Sequence, residues 1–84
     1  KATFHNAGKL RTIFRESVSS FDCAQNIVVL KTMPGLASAA CAALDHMNIS
    51  VLVGSLAGDD TVLLIMRENE SALHFCEDIR KMIE

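Results

Sequence analysis

The sequence predicts an α+β fold: a two-layer α/β sandwich on a four-stranded, largely antiparallel sheet, with the element order α-β-β-α-β-β-α. Three observations predict it. Apolar residues recur at helical spacing near both ends of the chain. Two pairs of strand-like runs are each joined by a short turn-forming segment, and a helix of small residues separates the pairs.

The first helix is expected to start at Asn6 as its cap and to carry Leu10, Ile13, Phe14 and Val18 on one face, with Arg11 and Arg15 beside that stripe. A short strand over Ser19 to Ala24 follows, and Gln25-Asn26 supplies turn chemistry before "NIVVLKTM", which is rich in β-branched residues. Met33-Pro34-Gly35 ends that strand and opens the helix "LASAACAALDHM", since proline suits a helix entrance but not a helix middle. Its many alanines allow close approach to a sheet. Strands over Ser50 to Ala57 and Thr61 to Arg67 meet through Gly58-Asp59-Asp60. Asn69 is expected to cap a last helix with Leu73, Cys76, Ile79, Met82 and Ile83 on its buried stripe and a Glu77–Lys81 pair on its wet face.

Eighty-four residues make a single domain spanning 1–84, and half of them are hydrophobic, a high share for so short a chain. A net charge of −2 leaves no electrostatic footprint for nucleic acid. No apolar stretch approaches the roughly 20 residues that cross a bilayer, and no signal-peptide pattern opens the chain. The first residue is Lys1, so the chain reads as a fragment or a processed product. Cys23, Cys41 and Cys76 are widely spaced, lack the pairing of a zinc site, and read as small core residues of a reduced, cytoplasmic protein.

An antiparallel sheet with one wet face alternates apolar and polar residues. Ile27-Val28-Val29-Leu30 and Val62-Leu63-Leu64-Ile65-Met66 do not. Both faces must then be dry, and so short a chain can hardly cover both with its own helices. Another copy of the chain is the expected cover.

Two adjacent carboxylates, Asp59 and Asp60, lie between the most hydrophobic segments. Gly58-Asp59-Asp60 is first a turn signal, because glycine permits positive φ and aspartate can hydrogen-bond its own backbone. Gly54 and Ala57 keep the preceding strand slim, as a close-approaching ligand or backbone would require. A third carboxylate, Asp45, shares a helix face with Ser38 and Cys41, at spacings i, i+3 and i+7, although such a stripe is also what a wet helix edge looks like. Converging aspartates need a cation, and guanidinium offers carboxylate a planar fork of donors. Helix N-terminal amides around Leu36 and Ala37 could hold an anion, so an α-amino acid with a cationic side chain fits. A metal would need more ligands than His46 beside Asp45 supplies. No nucleophile has a neighbouring base and no phosphate loop is present, so an enzyme is the weakest reading.

The segment "NIVVLKTMPGLASAACAALDHMNISVLVGSLAGDDTVLLIMR" resembles the C-terminal domain of the bacterial arginine repressor family. The resemblance rests on Lys31-Thr32 before Pro34-Gly35, the Ala-rich helix reaching Leu44-Asp45, and Gly54-x-x-Ala57-Gly58-Asp59-Asp60-Thr61; "LRTIFRESVSSFDCAQ" extends it to nearly the whole chain. It implies a domain that forms trimers, pairs them as hexamers, and binds L-arginine between the trimers as a co-repressor, with no other cofactor. It also implies ligand-binding roles for Asp45, Asp59, Asp60, Ala57 and the position of Ser38, where many members carry Gln. A serine there is shorter and would reach a ligand through water. The family's winged helix-turn-helix DNA-binding domain would precede Lys1. A purely structural multimerisation module that ignores arginine is the competing expectation.

Overall fold

The computed structural model describes residues 11–83, so the expected cap Asn6 and the stripe residue Leu10 lie outside the described residues. Helix α1, described over residues 11–17, runs directly into strand β1 (Val18–Ala24); then come β2 (Ile27–Thr32), α2 (Ala37–His46), β3 (Leu52–Ala57), β4 (Thr61–Met66) and α3 (Asn69–Ile83). The strands form one sheet in the order β1-β2-β4-β3, and every neighbouring pair is antiparallel. Each hairpin thus contributes an inner strand, β2 or β4, and an edge strand. This is the expected α+β architecture and element order.

Register separates the two faces of the sheet. Val28 pairs with Leu64 and Leu30 with Val62, and all four are fully buried under the helices. Helix α2 lies over β3 and β4, and α3 chiefly over β1. The contact residues of α2 are Ala37, Ala40, Ala43 and Leu44, which recur at helical spacing and let the helix sit close to the sheet. On α3 they are Ala72, Phe75, Cys76 and Ile79. Leu73, expected on that stripe, is instead 57% exposed. It precedes Ile79 by six residues, about 240° around the helix, so its hydrophobicity misleads where the angle does not. Met82 and Ile83 do pack against the core, half-buried.

Smaller departures have local causes. Val18 opens β1 rather than extending α1, and Ile13 stays exposed while Phe14 is fully buried. The last helix begins at Asn69 itself, and Ala72 N–H reaches the Glu68 carbonyl, so Glu68 takes the capping position expected of Asn69. Glu77 meets Arg80 at 4.0 Å, one residue short of the expected Lys81. Pro34 and Gly35 form a turn before α2, with φ of 82° at Gly35, and Leu36 takes the capping position.

Among the described residues, the opposite face of the sheet has no second layer. Ile27 pairs with Ile65, Val29 with Leu63, and Leu63 with Leu56 across the neighbouring strands. Among these, Leu56 is 69% exposed and Leu63 36%. The absence of polar alternation in β2 and β4 therefore has a concrete outcome: an uncovered apolar face.

Candidate functional site

The β3–β4 turn is closed by Gly58 N–H donating to the Thr61 carbonyl at 2.8 Å, which leaves Asp59 and Asp60 at its tip. Gly58 does not use positive φ, and no Asp59 side-chain hydrogen bond exists among the described residues, so the turn does not depend on either feature expected of a simple Gly-Asp turn. What places the tip is its main chain. The Asp59 carbonyl accepts from Gly35 N–H at 3.1 Å and Ala37 N–H at 3.3 Å, and the Asp60 carbonyl accepts from Thr32 N–H at 2.8 Å. The tip is thus hooked onto the N-terminus of α2.

This hook corrects one expectation. Leu36 N–H donates to Met33 and Ala37 N–H to Asp59, so the amides expected to hold a ligand anion are already engaged. Ser38, one residue further along, is exposed on the first turn of α2, beside the tip. The Asp59 and Asp60 side chains are exposed; that of Asp60 accepts a hydrogen bond from Thr61 Oγ1 at 3.0 Å, and Thr61 Oγ1 in turn accepts from Lys31 Nζ at 3.0 Å.

Asp45 is exposed in the last turn of α2. A carboxylate there faces the negative end of the helix dipole, which disfavours it locally. It is held by Ser55 of β3, whose hydroxyl donates to Asp45 Oδ1 at 3.2 Å and accepts from Cys41 Sγ at 3.0 Å. Ser55 is the residue the sequence reading missed. No pattern in the sequence marks it: a register shift between Leu52 and Gly54 turns Leu52, Ser55 and Ala57 together towards the helices, where strict alternation would group Val53 with Ser55 and Ala57. His46 turns back on its own helix, with Nδ1 2.8 Å from the Ala42 carbonyl, and does not join Asp45.

The candidate residues therefore form two groups in one chain. Asp59, Asp60 and Ser38 gather at the start of α2, and Ala57 leads into the tip from β3, half-buried. Asp45 sits at the other end, about 12 Å away by helix rise from Ala37. Among the described residues, none of the three aspartates has an ion-pair partner, and no three His, Cys, Asp or Glu side chains gather to hold a metal. A Cβ at Gly54 would meet nothing within 4 Å, so no close approach among the described residues explains that glycine. A depression of about 300 Å³, lined by Val51, Glu68, His74 and Asp78 among others, lies by α3, away from all of these residues.

Comparison with known proteins adds a family. Residues 14–81 match the family described as arginine repressor, C-terminal domain. An arginine repressor of Acetivibrio thermocellus is 50% identical over 74 residues, covering 88% of this chain and 48% of the relative. One of Lachnospira eligens is 43% identical, covering 90% of this chain and 50% of the relative. One of a Thermoanaerobacter species is 38% identical over all 84 residues, 56% of its own length. The chain spans about half the length of these relatives.

Proposed function

The chain belongs to the arginine repressor family, through that family's C-terminal domain, and from this premise we propose that it is the effector-binding and oligomerisation domain of an arginine-responsive transcriptional regulator. Residues 1–84 form its one domain, which trimerises, pairs trimers as a hexamer, and binds L-arginine where the trimers meet. A winged helix-turn-helix domain, in the half of the protein this chain does not span, reads operators of arginine-metabolism genes in the cytoplasm. The domain carries out no reaction.

The carrying observation is the split of the acidic residues. Asp59 and Asp60 stand at one end of α2 and Asp45 at the other, all exposed and without ion-pair partners among the described residues. Such separated carboxylates suit a ligand approached from more than one subunit better than one enclosed by a single chain. A cationic amino acid answers both needs of the site: its guanidinium donates a bidentate pair of hydrogen bonds to one carboxylate, and its ammonium donates a charge-assisted bond to another. Asp45 standing at the unfavourable end of its helix supports a role other than stability. The bare sheet face of Leu56, Leu63 and Ile65 supplies apolar surface for self-association.

A purely structural multimer is the second reading, favoured by Ser38 and by an apolar face that needs no ligand to associate. Calorimetry and sedimentation with L-arginine, and with L-citrulline as a neutral near-isostere, decide between them. Arginine is expected to release or absorb heat and to enrich the hexamer, with citrulline much weaker. An oligomer indifferent to both would leave the structural module standing.

A further inference from the structure

We propose that Cys23 and Cys76 are a redox-sensitive pair, which a hydroperoxide converts to a disulfide tying α3 to β1. This stands apart from the arginine reading and would hold for either kind of oligomer.

The register of the two elements brings the thiols together. On β1, Phe21 pairs with Leu30 and Cys23 with Val28, so both side chains face the helices. The Arg80 guanidinium lies over the Phe21 ring, 5.6 Å from its centre. Two residues along a strand advance about 6.8 Å, and four residues along a helix about 6 Å. With Arg80 above Phe21, the residue one turn earlier on α3, Cys76, therefore falls above Cys23. Cys76 belongs to the buried core and half-buried Cys23 packs against it, both as free thiols. The Cys76 thiol is pushed up to about 12, first by burial, then by the neighbouring Cys23 thiol and by Asp22, with Arg80 opposing. A thiol held protonated in this way is a poor first target.

The order of events follows. Solvent reaches Cys23, whose sulfur attacks the peroxide O–O bond, giving a sulfenic acid and releasing an alcohol or water. The Cys76 sulfur then attacks that sulfur. The S–S bond forms, the S–O bond breaks, and the departing hydroxide leaves as water with the Cys76 proton. Two thiols have been oxidised by two electrons and one peroxide reduced. Cys41 is not part of the pair, because it is bonded to Ser55 on the far edge strand.

The whole chain tests this directly. Trypsin cleavage after Arg15, Lys31, Arg67 and Arg80 places each cysteine in a different peptide. After hydrogen peroxide and blocking of remaining thiols, mass spectrometry without reductant is expected to find peptide 16–31 joined to 68–80 within a single chain. Cys41 should be blocked, and a Cys41→Ser variant should behave identically. Closing a loop of about 50 residues should raise Tm by roughly 10 °C or more, reversed by dithiothreitol. Cys23→Ser should abolish both effects. The proposal is overturned if Cys23 reaches sulfinic acid while Cys76 stays reduced. It is equally overturned if the cross-link involves Cys41 or two chains, or if no cross-link forms.

Discussion

Replacing Asp59 or Asp60 by asparagine changes one thing at a time, because the tip is held by main-chain atoms. The Asp59 carbonyl keeps its bonds from Gly35 and Ala37, the Asp60 carbonyl keeps its bond from Thr32, and the volume hardly changes. An asparagine at 60 can still accept from Thr61 Oγ1 through its amide oxygen. Folding stability should accordingly move by no more than about 0.5 kcal/mol, the range for surface substitutions clear of such features. Arginine binding should respond quite differently. A hydrogen bond to a charged group contributes about 1.5–3 kcal/mol, so each substitution should weaken L-arginine about ten- to a hundredfold. Since the ligand would join subunits, the arginine-dependent gain of hexamer should fall with it. The proposed trimers, if they rest on apolar packing, should persist. Without arginine the hexamers of the Asn variants should be at least as stable as the parent's, because less carboxylate charge is brought together. Thermal melts, calorimetry and sedimentation with and without arginine measure the three effects. If both variants respond to arginine as the parent does, the two carboxylates do not meet the ligand, and the reasoning fails.

Three further outcomes can be checked in the same way. Ser38→Gln should hold or improve arginine affinity by up to about tenfold, or about 1.4 kcal/mol, read by calorimetry; markedly worse binding would mean that Ser38 does not adjoin the ligand. Leu63→Lys, on the bare sheet face, should weaken self-association at least about tenfold while leaving the helix-covered core intact, read by sedimentation beside circular dichroism. The Cys76 thiol is raised by burial and by Cys23 from 9.0 to about 12. The folded chain thus holds its proton where the unfolded chain releases it. The associated stability is full below pH 9 and is lost as pH rises towards 12. Urea titrations should show a flatter alkaline decline for Cys76→Ala than for the parent.

The order of elements was legible because each rests on short-range chemistry. The alanine spacing of α2 and the β-branched runs of β2 and β4 report local geometry directly. What sequence could not supply was neighbourhood. Hydrophobicity alone places Leu73 on the buried stripe, but its angle on the helix turns it away, and Ala72 and Phe75 take that face. Ser55 passed unnoticed because its importance lies in reaching Asp45, ten residues away in sequence and on another element. The amides of Leu36 and Ala37 looked available because nothing local reveals that a distant hairpin supplies their acceptor. Asp45, Asp59 and Asp60 were legible as individuals, yet their distribution over both ends of α2 emerges only once β3 is laid antiparallel beneath that helix.

The hook between the hairpin tip and α2 has a consequence for how this surface can change. Its donors and acceptors are peptide groups, which every residue type except proline carries in full. Shape at positions 59 and 60 is therefore indifferent to what their side chains are. New chemistry can be written there one residue at a time, with the helix entrance still seated and the sheet undisturbed. A pair of arginines or glutamines at the tip would face the same neighbours from the same backbone, offering a different charge to whatever arrives. The part that holds still and the side chains it displays are built from different atoms, so the chemistry of this surface can drift without passing through an unfolded intermediate sequence.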